Sequence, residues 1–369
     1  MNAAYRAGRL SIALPFLLAA CGRLGYDGLG ESGPDAGPPA DTLLAAGGCH
    51  TCMLQGAALA CWGCNDAGQL GTGDRDDRAQ PTRITPLSSA HTLAVGGAHS
   101  CAVKGGSLSC WGANDAGQLG TGSPDDEVHA TPVAGSISWR QVVAGGSHTC
   151  GIDSAGALHC WGGNRDGQLG LGTPSESQRE PAPVEGEATW RQGSAAGQST
   201  CFLQDDRSLW CWGLPEFAAG PVEVDRAPYD DVAVGGDSIC AVRSHDGRLQ
   251  CTCAGPSCSE ADWHTIGSAA GWSRVAAGEA HRCAIDRAGA LWCWGQNGDG
   301  QLGVGDQDDR DEPERVGQES DWQEIAAGGH HTCGVRGDGS AWCWGADARG
   351  ELGQGEPGES SPVPLEVSF

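Results

Sequence analysis

The sequence predicts an all-β fold, a seven-bladed β-propeller, on three observations. Seven cysteine pairs recur along the chain, each pair encloses turn chemistry of hairpin type, and the composition is too poor in large apolar residues for one conventional core. Glycine numbers 61 and proline 19 of 369 residues, while aromatics reach 6%. Many short strands with small local cores fit such a chain better than helices do.

The pairs are Cys52/Cys61, Cys101/Cys110, Cys150/Cys160, Cys201/Cys211, Cys240/Cys251, Cys283/Cys293 and Cys333/Cys343. Their first members are spaced by 49, 49, 51, 39, 43 and 50 residues, a period of propellers and solenoids. Between the cysteines lie turns such as Lys104-Gly105-Gly106-Ser107, His245-Asp246-Gly247 and Gly337-Asp338-Gly339, flanked by short alternating apolar runs. That is a hairpin signature. Opposed residues on antiparallel strands have Cα atoms about 4.5 to 5.5 Å apart, a span that a disulfide bridges, so each pair is expected to staple its own hairpin.

The N-terminus predicts export. Arg6 and Arg9 precede the apolar run Leu10–Leu18, too short to span a bilayer and of the size of a secretory signal. The run ends in Leu18-Ala19-Ala20-Cys21-Gly22, which resembles a bacterial lipobox. That resemblance implies removal of residues 1–20 and acylation of Cys21; Gly22 after it resembles outer-membrane sorting signals. Residues 21–41, rich in Gly, Pro, Asp and Ala, read as a flexible tether, and residues 42–369 as the folded domain. Within the tether Gly28-Leu29-Gly30-Glu31-Ser32-Gly33 matches a dinucleotide-binding pattern, but no apolar strand precedes it and Pro34 follows where a helix should open. No cofactor is expected.

A further repeat follows the second cysteine: Trp62-Gly63 with Gly68-Gln69-Leu70-Gly71, recurring at Trp111 with Gly117–Gly120, Trp161 with Gly167–Gly170, Trp294 with Gly300–Gly303 and, as a variant, Trp344 with Gly350-Glu351-Leu352-Gly353. With the preceding Gly-Gly-x-His-(Thr/Ser), this resembles the regulator of chromosome condensation repeat family over roughly residues 43 to 369. The resemblance implies a seven-bladed propeller. It also implies recognition: the family includes eukaryotic guanine-nucleotide exchange factors that bind chromatin, and a secreted bacterial inhibitor of β-lactamases that grips its target with loops on one face.

Ring closure is expected from Pro-led runs that precede most repeats, such as Pro81–Ile84 and Pro313–Val316. The first repeat lacks one in front of it and the C-terminus carries one extra, Pro362-Val363-Pro364-Leu365, so the chain end is expected to complete the first blade.

Several constellations bear on chemistry. Cys49-x-x-Cys52 and Cys61-x-x-Cys64 form a paired arrangement open to two readings, a zinc site or, in the same hairpin register, a second bridge Cys49/Cys64. Histidine recurs two residues before the first cysteine of five pairs, at His50, His99, His148, His281 and His331, with Ser199 and Ser238 in the other two. Such a ring either carries function, as a conserved His on one face does in the related exchange factors, or satisfies strand-end carbonyls. Acidic clusters at Asp74–Asp77, Asp125–Glu127 and Asp306–Asp309 match no established calcium loop and read as solvated surface. Repeats four and five are the shortest; the fifth replaces Trp by Thr252 and adds Cys253 and Cys258, a further pair expected to close a tight loop.

The formal charge of −25 opposes nucleic acid and anionic membrane surfaces. The sequence thus predicts a monomeric, lipid-anchored binding or scaffold protein of the bacterial outer membrane or cell surface, not an enzyme, with a protein as partner or else a glycan. The competing reading is a propeller enzyme or lectin acting on envelope polysaccharide.

Overall fold

The computed structural model describes residues 23–24 and 42–369, except 187, 214–218, 237, 253–262 and 268–270. Seven antiparallel sheets follow one another along the chain, blades I to VII, each built of four consecutive strands and that of blade II extended by a fifth from the N-terminal stretch. Blade I shows the plan: Thr42–Ala46, His50–Gln55, Ala58–Gly63 and Arg78–Arg83, each paired with the next. The first strand is wholly buried and the fourth only partly so, with the strands running from the axis outward. A single 3-10 turn, Thr85–Leu87, is the one helical element among the described residues.

Apolar side chains cluster between blades rather than in one centre. Leu43, Leu54 and Leu59 of blade I pack with Leu93, Val95 and Trp111 of blade II, and six further clusters join the remaining neighbours, including blade VII with blade I. Seven thin cores account for a folded chain so poor in aromatics. The predicted staples are present in every blade: Cys52–Cys61, Cys101–Cys110, Cys150–Cys160, Cys201–Cys211, Cys240–Cys251, Cys283–Cys293 and Cys333–Cys343 each join directly opposed residues of the second and third strands, with Cα atoms 4.1 Å apart. That separation belongs to the close, non-hydrogen-bonded rungs of an antiparallel ladder.

Closure differs from the expectation. The C-terminal strand Ser361–Val367 pairs with Ala341–Gly345 of its own repeat and completes blade VII, not blade I. Each Pro-led run is the fourth strand of the hairpin before it, as Arg78–Arg83 is for Ala58–Gly63. Proline is tolerated there because the outermost strand needs no donors on its free side. Seven hairpins thus have seven outer strands and none is left to exchange. The ring shuts instead through contacts across the VII/I seam: Trp62 Nε1 donates to Glu351 O at 2.9 Å, Gly329 N to Gly47 O at 2.9 Å and Gln55 Nε2 to Gly339 O at 2.9 Å.

Two residues of the stretch read as a tether, Arg23–Leu24, also depart from that reading. They lie as a short strand along the inner edge of Thr92–Val95 in blade II, where the first strand's free edge offers unpaired backbone groups. Cys21, the glycine pattern 28–33, Cys253 and Cys258 lie outside the described residues.

Candidate functional site

Every first strand ends, and every second strand begins, at the same end of the ring. In blade I the turn between them is Gly47-Gly48-Cys49, and its counterparts encircle the axis at one mouth of the channel. Backbone hydrogen bonds link these turns from blade to blade: Gly48 N to Gly96 O at 3.2 Å, Gly97 N to Gly145 O at 3.1 Å, Gly146 N to Gly197 O at 2.8 Å and Gly236 N to Gly278 O at 3.0 Å. Glycine is required for this approach. A Cβ on Gly97 would stand 2.6 Å from Gly146 O, and one on Gly48 2.5 Å from Gly97 O. We term this end the collar face; the opposite end carries the hairpins between second and third strands.

Directly behind the collar sits the histidine ring, and its partners cross the blade junctions. His50 Nε2 meets Ser100 Oγ of the next blade at 2.9 Å, His99 meets Thr149 at 2.9 Å, His148 meets Thr200 at 2.7 Å, His281 meets Thr332 at 2.8 Å and His331 meets Thr51 at 2.8 Å. Ser100, Thr149, Thr200 and Thr332 in turn donate to the carbonyls of Gln69, Gln118, Gln168 and Gln301. The indoles of Trp111, Trp161, Trp212 and Trp344 donate to the same four carbonyls at 2.9 to 3.0 Å. A hydroxyl that donates to a carbonyl accepts from the imidazole, so His50, His99, His148 and His281 carry their proton on Nε2. The Gly-Gln-Leu-Gly segment of one repeat is therefore the acceptor that the Trp and hydroxyl of the next repeat require.

All five imidazoles are at most 1% exposed. Burial holds their pKa values far below 6.5, at about 3 for His50, His148 and His281 and about 4 for His99 and His331. Neutral, buried and engaged with neighbouring blades, they brace the ring and present no acid or base to a ligand. The partner is the next blade's hydroxyl, not the strand-end carbonyl expected from sequence. Sequence reasoning named the Thr or Ser that follows His50, His99, His148 and His331 but missed its role as partner to the preceding blade's ring; after His281 the position is held by Arg282. Thr200→Val is expected to lower stability by about 1–3 kcal/mol, because it strands the His148 N–H and one lone pair of Gln168 O at near-constant side-chain volume. Denaturant titration of the two proteins checks this.

The acidic clusters also have structural work. In blades I, II and VI, an Asn two residues after the third strand is wholly buried, and Asp77, Asp126 and Asp309 accept from the backbone amides of Asn65, Asn114 and Asn297 at 2.8 to 2.9 Å. Across junctions, Arg75 pairs with Asp126 at 3.0 Å and Arg349 with Asp66 at 2.9 Å. Among the described residues no group of three His, Cys, Asp or Glu is placed to hold a metal ion. The four cysteines open to a zinc reading are joined two by two, Cys52 to Cys61 and Cys49 to Cys64, the latter with Cα atoms 5.6 Å apart.

The junction pattern fails in one sector. Blade IV lacks the Gly-Gln-Leu-Gly segment, and blade V has neither hydroxyl nor indole to use it, carrying Ile239 and Thr252 instead. At the next junction Arg282 Nε donates to Ser238 Oγ at 2.7 Å in place of the His relay. Charged side chains enter the inner strands there: Asp231 Oδ2 accepts from Val275 N at 3.1 Å, and Arg274 pairs with Glu324 at 3.2 Å, both nearly buried. On the collar face beside this sector, His330 bridges Glu279 and Asp299 at 3.4 and 3.2 Å.

A closed ring of seven repeat blades joined by this glycine, tryptophan and glutamine code defines a repeat β-propeller. The chain belongs to the RCC1-like domain family, whose model matches residues 61–368. Among solved structures, yeast RCC1 (Prp20) bound to Kap60 is similar at 18% identity with a TM-score of 0.74, over 91% of this chain and 86% of that one. Prp20p from Saccharomyces cerevisiae, a structure described with its binding to Gsp1p and histones, is similar at 18% identity and TM-score 0.74, over 89% and 88%. Human WBSCR16 is similar at 20% identity and TM-score 0.70, over 82% and 88%. At these identities the likeness is one of fold. No curated protein sequence matches the chain.

Proposed function

We propose that this protein is an exported, lipid-anchored recognition propeller that binds a partner protein through its collar face at blades IV to VI. The carrying observation is the localised break in the junction code: five of seven junctions repeat one arrangement, and the departures at Ser199, Ser238, Ile239, Thr252 and Arg282 fall together. A ring of identical units recognises nothing in particular, whereas one altered sector on a rigid frame supplies the local difference that a single partner requires.

The acidic loops, which follow the third strands, lie on this same collar face, since Gly63 ends its strand opposite His50. That the yeast relative carries protein partners on the same fold is in keeping with this reading.

The test is capture of partners from envelope and medium extracts by the immobilised, oxidised full chain. The expected result is one saturable protein partner, lost when the collar turns of blades IV and V are exchanged for that of blade II and kept when hairpin-face turns are exchanged. Retention after the collar exchange would overturn the assignment. Metabolic labelling with a fatty-acid analogue, lost in Cys21→Ser, checks the anchor.

A further inference from the structure

Eight disulfides join described residues, and seven of them are sealed. The fourteen blade cysteines are at most 5% exposed, and Cys64 is at 0%. Cys49 alone among these sixteen is partly exposed, on the collar turn beside the exposed Gly48. It is the one sulfur position among them that an external thiolate can approach without opening a blade.

The opposite sulfur is provided with a donor. Gln69 Nε2 points its N–H at Cys64 Sγ, 3.2 Å away, whereas the matching amide of blade II, Gln118 Nε2, donates to Asp115 Oδ1. Gln69 is otherwise held as its counterparts are, with Oε1 accepting from Ala67 N at 2.9 Å. The bridge also adds little to the fold. Cys52–Cys61 already closes the same hairpin, so a second rung three residues further out on each strand removes only a short additional loop from the unfolded chain.

We propose that Cys49–Cys64 is a thiol-exchange site on the collar face. A thiolate attacks Cys49 Sγ, the Cys49–Cys64 bond breaks, a mixed disulfide forms on Cys49, and Cys64 leaves as a thiolate that accepts the Gln69 amide N–H. A second equivalent of the same thiol then releases Cys49 as a thiol and departs as its own disulfide. Exchange unfastens the collar turn of blade I from the segment after its third strand while Cys52–Cys61 keeps the blade closed. This inference is independent of the identity of any partner.

The test treats the oxidised full chain with reduced glutathione at about pH 7.5, quenches with acid at intervals, alkylates and maps the cysteines by mass. The glutathione adduct on Cys49 and the alkyl group on Cys64 are expected at least about tenfold faster than modification of any of the seven blade pairs. Equal or slower reaction overturns the proposal. Gln69→Glu keeps the acceptor for Ala67 N, as Glu351 does for Arg349 N in blade VII, but removes the donor and places a carboxylate beside the departing sulfur. It is expected to slow exchange about tenfold with unchanged tryptophan emission; an unchanged rate would discard the role of Gln69. In the double variant Cys49→Ser, Cys64→Ser the fast adduct should vanish, and its persistence would move the site elsewhere.

Discussion

Acidification from about pH 7 to about pH 5 is expected to destabilise the ring steeply, read as a falling midpoint of denaturant unfolding. The cause is the five imidazoles. Burial, aided at His50, His148, His281 and His331 by the repulsion that a second charged imidazole or, at His281, Arg282 would exert, lowers their folded pKa values to about 3 or about 4, while in the unfolded chain they titrate at 6.5. Between those limits the unfolded chain binds protons that the folded ring refuses, so stability is complete above about pH 6.5 and falls as pH is lowered towards 4. Each imidazole contributes about 1.4 kcal/mol per pH unit once its unfolded form is fully charged, and five act together. Asp347 acts in the opposite sense, because burial raises its carboxyl to about 6 and the folded state takes up a proton there. It offsets part of one imidazole. Carboxylates held low, such as Asp74 and Asp77, add to acid lability only below about pH 4. His148→Gln should remove about a fifth of the slope between pH 7 and 5. A flat midpoint over that range would mean that the imidazoles are not excluded from water.

Gly328→Ala is expected to cost about 1–3 kcal/mol or more, the range of overpacking in a site that cannot give. Its Cβ would lie 2.3 Å from His331 Cε1 and 2.6 Å from Gly47 O, meeting the imidazole of its own blade and the collar of blade I at once. The control is Gly298→Ala on the same face, where nothing lies within 4 Å of the added carbon and the backbone is not left-handed. It should be neutral within about 0.5 kcal/mol. Equal midpoints for the two variants would show that the collar yields. One natural repeat already points the other way: blade IV has Ala196 at the position of the first collar glycine, and it is one of the two blades whose histidine is replaced by serine, at Ser199. The smaller side chain is what makes room for the methyl group.

Much of this architecture was legible because it is local. A disulfide between opposed strands needs only the hairpin that joins Cys101 to Cys110, and the count of blades follows from counting such hairpins. The phase of the outer strand was not legible. Pro81 sits between two hairpins, and the pattern alone does not say which of them it joins; the pairing of Ala60 with Arg83 decides it. Nor were the histidine partners, since His99 and Thr149 are 50 residues apart and meet only when the ring is built. The candidate site was legible as a loss of pattern at Ile239 and Thr252, but its coherence came from the junction geometry, in which one missing segment makes two later side chains redundant. The exposure of Cys49 was invisible in a spacing that placed it in register with Cys64.

The self-contained blades have a consequence for how such a molecule changes over time. Because Ser361–Val367 completes its own sheet, no blade is assembled from both ends of the chain. Copying or deleting one stretch of about 50 codons therefore adds or removes a whole blade together with half of each flanking junction. Those halves match only if donor and acceptor remain in step, which confines successful duplications to cuts made between an outer strand and the inner strand that follows it. New termini opened at any of the six links between successive blades would leave every sheet intact.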